Sequence, residues 1–190
     1  MKKRVGIMGG TFDPVHIAHL IMANEAYHAL SLDEVRFMPN ASPPHKTISG
    51  QTSAAERCRM IEKCIADVPY FKLDLTEVLR EGKSYSFDTI THLTHQEPDT
   101  DFFFIIGGDM IESLSTWHRI EELKKMITFA GFERPGYPDR GNEDVIMIKG
   151  PVIELSSTML RKRLLEKQDC RFLIPEKAYT YILEEGLYGS

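Results

Sequence analysis

The chain has 190 residues, 42% of them hydrophobic, enough for one sizeable core, and its length favours a single domain spanning 1–190 over two. A formal net charge of -5 argues against broad electrostatic binding to nucleic acid or an anionic membrane, so any phosphate recognition has to be local. Three cysteines without Cys-x-x-Cys spacing give no sign of a disulfide framework or zinc knuckle, and with no signal-peptide block or bilayer-length apolar stretch the expected location is a reducing cytoplasm.

In chain order, short strand-like runs alternate with longer helical ones, the pattern of an α/β protein. Strands are expected at Arg4 to Met8, Glu34 to Met38, Phe71 to Leu75, Phe102 to Ile106, Ile127 to Phe132 and Val145 to Ile148, all rich in β-branched or aromatic residues. Helices fill the gaps. One runs from about Ile17 to Leu30, and another from Ala54 to Asp67 behind a Ser53/Glu56 capping box. The last helix is expected to take Pro175 at its first position and to close at Gly186 in a left-handed conformation. The Pro/Gly-rich stretch from Glu133 to Asn142 reads as a surface loop, and there is no internal repeat or low-complexity tract.

The chemically suggestive clusters fall just after these strands, where the carboxyl ends of a doubly wound sheet line one crevice. Gly9 and Gly10 either let a phosphate approach the backbone or simply form a tight turn. His16 and His19, three apart at a helix start, share a face and could offer two neutral donors to phosphate oxygens; core packing or zinc ligation is the alternative, weakened by the lack of a nearby third ligand. Ser156, Ser157 and Thr158 precede a helix bearing Arg161, Lys162 and Arg163, which makes a second anion site or an ordinary N-cap with a solvated basic face. Asp109, behind Gly107 and Gly108, suits a ribose contact or an N-cap. Trp117 suits ring stacking or core burial, and Lys46, after two prolines, is either a movable charge for phosphate or a solvated one.

Taken together, Gly9-Gly10-Thr11-Phe12-Asp13-Pro14-Val15-His16-Ile17-Ala18-His19 and Ser156-Ser157-Thr158-Met159-Leu160-Arg161 resemble the signature motifs of the nucleotidylyltransferase superfamily. Ser84 to Thr89, Ile106 to Asp109, Trp117 and Arg134-Pro135-Gly136 narrow the resemblance to the bacterial nicotinate mononucleotide adenylyltransferases, over about Val5 to Leu187.

The resemblance implies a Rossmann-like, doubly wound parallel sheet with helices on both faces and a C-terminal helical segment. It also implies transfer of the adenylyl group of ATP to nicotinate mononucleotide, giving nicotinate adenine dinucleotide and pyrophosphate. It assigns His16, His19, Lys46 and Arg161 to catalysis, and Gly9, Gly10, Thr11, Phe12, Gly107, Asp109, Ser156, Ser157 and Thr158 to ATP. Asn40, the Thr89 backbone, Trp117 and Arg134 fall to the mononucleotide.

Mg²⁺ is expected on the phosphates rather than in a protein metal site, the partners are the two nucleotides, and a homo-oligomer is left open. Ala18 stands where the motif has Gly, and its methyl is expected to crowd adenine while favouring the helix. Ser86 and Glu133 replace the more usual Thr and Ala. The nearest alternative is an adenylyltransferase acting on phosphopantetheine. A non-catalytic NAD sensor is disfavoured because Gly-x-Gly-x-x-Gly is missing and Met38-Pro39 ends the second strand without a ribose-binding acid. The whole reading requires the imidazole pair and the Ser-Ser-Thr turn to meet across one cleft.

Overall fold

The computed structural model describes residues 2–40, 52–80, 85–132, 144–151 and 153–190. The expected strands form β1 (Lys3–Gly10), β2 (Glu34–Pro39), β3 (Phe71–Leu73), β4 (Thr100–Ile106), β5 (Thr128–Phe132) and β6 (Val145–Ile148). They make one six-stranded sheet in the order β3-β2-β1-β4-β5-β6, and every neighbouring pair is parallel. The helices are α1 (Ile17–Ala29), α2 (Ala54–Ile65), α3 (Ser86–Gln96), α4 (Gly108–Ser113), α5 (Ile120–Met126), α6 (Ser157–Leu165) and α7 (Glu176–Glu184).

Side chains alternate between the faces of a strand, and both faces are buried here. Phe103 and Ile105 of β4 join Met8, Val35 and Phe37 in a core that also takes residues of α1, α2, α6 and α7. Phe102, Phe104 and Ile106 join Val5, Ile7 and Phe129 on the other face, under α3 and α5. Such strands read as continuous apolar runs, which is why they could be located from sequence. The sheet is the doubly wound parallel arrangement expected, and β1 is its switch point, with β2 on one side and β4 on the other. Among the described residues, no helix is long and apolar enough to cross a membrane.

The Ser53/Glu56 capping box is present: Ser53 Oγ accepts from the Glu56 amide at 3.2 Å, and the Ser53 amide donates to the Glu56 carboxylate at 2.6 Å. Two local expectations change. Pro175 occupies the N-cap rather than the first helical position, its ψ of 138 leaving it outside the helix. Gly9 and Gly10 do not form a turn, since β1 runs through both and pairs them with Met38 and Pro39. The turn comes at Phe12, which has a φ of 52. Gly186 does take up the left-handed conformation, with a φ of 60, and leads into a 3-10 turn over Leu187–Gly189.

Candidate active site

The carboxyl ends of β1 and β4 and the N-terminus of α6 surround a cavity of about 460 Å³. Gly9, Gly10, Thr11, Phe12, His16, His19, Gly107, Asp109, Ser156, Ser157, Thr158 and Arg161 all line it, so the two ends of the chain meet across one cleft. Space is tight at the glycines that end β1. A Cβ on Gly9 would lie 3.1 Å from the Phe104 ring, and one on Gly10 would lie 3.2 Å from the ring of Phe12.

His16 is the N-cap of α1 and is only 5% exposed, while His19 is partly buried one turn later. Their rings stack at 3.7 Å with an interplanar angle of 26°, and Phe12 meets His19 edge-on at 5.0 Å. The His16 amide donates to Nδ1 of His19 at 3.2 Å. Because that nitrogen accepts, the neutral ring carries its proton on Nε2. Burial lowers the pKa of His16 to about 4. Burial, with the neighbouring His16 as a second cause, holds His19 well below its usual value. Both rings are therefore neutral at pH 7, as two donors rather than two cations. Nδ1 of His16 is buried without a hydrogen-bond partner among the described residues.

Across the cavity, the Ser-Ser-Thr turn carries the N-cap that its sequence suggests, and it lines the same space as the histidines. Ser156 is the N-cap of α6, its Oγ accepting from the Met159 amide at 3.2 Å. Ser157 Oγ donates to the Pro14 carbonyl at 2.9 Å, tying α6 to the loop that follows β1. The amides of Ser157 and Thr158 begin the helix and have no intrahelical acceptor, and both residues line the cavity. Arg161 donates to the Asp13 carbonyl at 2.6 Å and to Thr158 Oγ1 at 3.1 Å. Asp109 lines the cavity from the first turn of α4, whose N-cap is Gly107, so it is not the N-cap residue. Ala18 lines the cavity as well, with its methyl where the motif has none.

A family model described as cytidylyltransferase-like matches residues 7–163. A Bacillus cytotoxicus protein named "Probable nicotinate-nucleotide adenylyltransferase" is 49% identical over 188 residues, covering 99% of this chain and 100% of that one. A protein of the same name from Listeria monocytogenes serotype 4a is 46% identical over 190 residues, the whole of both chains. The chain belongs to the nicotinate-nucleotide adenylyltransferase family. A solved structure of Plasmodium falciparum nicotinic acid mononucleotide adenylyltransferase, complexed with NaAD, shares the fold of this adenylyltransferase. Its TM-score is 0.80 over 98% of both chains, at 21% identity.

Of the residues assigned to the acceptor side of the adenylyltransferase, the described ones, Asn40, Thr89 and Trp117, do not line the cavity. Asn40 follows β2, and its Oδ1 is buried with no partner among the described residues. Thr89 is 0% exposed; its hydroxyl donates to Glu77 at 2.9 Å and its amide to the Tyr85 carbonyl at 3.2 Å. Trp117 packs on the opposite face of the sheet, edge-on to Phe104 at 5.7 Å and to Phe129 at 6.0 Å, and stays partly exposed. Lys46 and Arg134 lie outside the described residues, as do Ser84 and the stretch from Glu133 to Asn142 expected to be a surface loop.

Three groups that organise the site were missed in the sequence. Asp13 is a hub, with Oδ1 accepting from the Thr52 hydroxyl and, at 2.6 Å, from that of Tyr188. Tyr188 had no motif to mark it. Burial, followed by the adjoining Asp13 carboxylate, raises its phenol far above the usual value. Arg57 left one sign: it falls four residues before Ile61 on the buried stripe of α2, where a charge is out of place.

Proposed function

We propose that the enzyme transfers the adenylyl group of ATP to nicotinate mononucleotide, releasing pyrophosphate, with residues 1–190 acting as one domain. The observation that carries this reading is the single cavity shared by the imidazole pair and the N-terminus of α6. Two neutral imidazoles, a helix end without acceptors and a guanidinium make a site for a polyphosphate chain. The β and γ phosphates lie against Ser157, Thr158 and Arg161, the α phosphate near His16 and His19, and the ribose toward Asp109.

An oxygen of the acceptor phosphate attacks the α-phosphorus in line. The new O–P bond forms as the bond to the bridging oxygen breaks, and pyrophosphate takes the electron pair. The attacking phosphate is already anionic, so positioning and charge neutralisation are the protein's tasks. No protein nucleophile is required, in keeping with buried cysteines and with Ser156 and Ser157 hydroxyls committed to backbone contacts.

Among the described residues, no three His, Cys, Asp or Glu side chains converge as a metal site. Mg²⁺ accompanying ATP would then be held by phosphate oxygens and water, where it neutralises charge on the leaving group. On the acceptor side, Trp117 offers a ring face to the pyridine. The amides of Ser86, Phe87 and Asp88, which begin α3 without intrahelical acceptors, offer donors to its carboxylate. Since the Thr89 amide is spent inside the helix, it is this first turn that we assign to the carboxylate. Arg134 and Lys46 complete the proposal as cations for the acceptor and ATP phosphates, and the buried unpaired cysteines suit a reducing cytoplasm.

The test is direct. Pure protein, ATP and Mg²⁺ are incubated in turn with nicotinate mononucleotide, nicotinamide mononucleotide and phosphopantetheine, following product by mass and pyrophosphate by release. Nicotinate adenine dinucleotide is the expected main product. Pyrophosphate with phosphopantetheine alone, or with no acceptor, would overturn the assignment.

A further inference from the structure

Arg57 is a fully buried guanidinium lying beneath the catalytic cleft rather than in it, at 0% exposure. The capping box at Ser53 sets the start of α2, and one turn later the Arg57 side chain reaches under the sheet ends. Nη1 donates to the Thr11 carbonyl at 2.7 Å, and Nη2 donates to the Asn40 carbonyl at 2.7 Å. These carbonyls belong to different half-sites. Thr11 follows β1 on the ATP side, and Asn40 follows β2 on the side assigned to the acceptor.

The last backbone bond between the two strand ends runs from the Asn40 amide to the Gly10 carbonyl at 3.0 Å. Past that rung, the fork of Arg57 spans both chains. A guanidinium is planar and rigid, so the gap between two carbonyls bound to its two terminal nitrogens is set by the side chain itself.

We propose that Arg57 is a positioning residue for adenylyl transfer, holding the ATP-side and acceptor-side strand ends at the separation that aligns the attacking phosphate with the α-phosphorus. This rests on the function proposed above. It requires neither substrate to touch Arg57. It explains why a charge is kept on the apolar face of α2 despite the cost of burying it, a cost offset by two carbonyls and the nearby Asp13 carboxylate.

The test is Arg57→Lys, which keeps the charge and loses the fork. Because displacement by about 1 Å can cost on the order of 10²-fold in rate, kcat per folded molecule should fall by roughly that factor. Affinity for a non-hydrolysable ATP analogue, measured alone, should change by less than about threefold, since each half-site remains intact. Retention of wild-type kcat would overturn the inference, and so would a loss of ATP-analogue affinity as large as the loss of kcat. A purely structural role would lower Tm while leaving kcat per folded molecule unchanged.

If the variant does not fold, hydrogen exchange on the wild type decides. The ATP analogue alone should slow exchange at the Asn40 amide, and unchanged exchange would overturn the proposal. Failure of the functional reading is separate, because the wild type would then form no dinucleotide.

Discussion

His19 shows how a backbone contact can prepare a side chain for chemistry. By accepting the His16 amide on Nδ1, it presents Nε2–H as its remaining donor, and stacking on His16 limits rotation of the ring. A donor held this way stabilises charge that develops during transfer without reorganising. His19→Ala should lower kcat by about 10²- to 10³-fold, the usual effect of losing such a donor. Steady-state kinetics on a variant shown to be folded by circular dichroism would check this, and an unchanged kcat would remove His19 from the transition state. The two histidines and the Ser-Ser-Thr turn were legible because unusual residue types recur at helix starts. The contacts of Arg57 and Asp13 were not, because their partners are main-chain carbonyls, a threonine and a tyrosine far along the chain; the pattern of α2 marked Arg57 as misplaced without saying what it meets. The glycine pair was recognised for an incomplete reason: it lies in a strand rather than a turn, and two aromatic rings crowd the place a Cβ would take.

At the level of elements, α6 matters for where it is pinned. Its first residue, Ser157, reaches the Pro14 carbonyl, so the end of the helix proposed to bind phosphate is fixed to the loop that leads into α1 and its histidines. Ser157→Ala should leave that carbonyl without its donor and destabilise the protein by about 1 kcal/mol. It should also raise the KM for ATP with little change in KM for the acceptor. Urea titration and kinetics in each substrate would test both parts, and equal effects on the two KM values would refute the pinning role. The strands were placed well from sequence because each carries β-branched or aromatic residues, most clearly β4, whose Phe102 to Ile106 is an unbroken apolar run. β3 ends at Leu73 rather than Leu75: its last ladder pair is Leu73 with Phe37, although β2 itself runs on to Pro39.

For the whole molecule, burying neutral histidines makes stability depend on acid. The folded pKa of His16, about 4, lies below its ordinary 6.5, so the unfolded chain takes up a proton first as pH falls. The native state is thus undisturbed above about pH 6.5 and loses stability progressively between 6.5 and 4. The full shift corresponds to roughly 3 kcal/mol, with His19 acting in the same direction. Urea midpoints measured from pH 7 to pH 4.5 should fall, and His16→Gln should flatten the profile; an unaltered slope in that variant would assign the acid sensitivity elsewhere.

Tyr188 reaches back 175 residues to Asp13, next to the loop on which the triphosphate is proposed to rest. During synthesis, that loop therefore lacks its support until nearly every other element has left the ribosome. A nascent chain halted before that point would contain every strand of the sheet yet lack this clamp on Asp13.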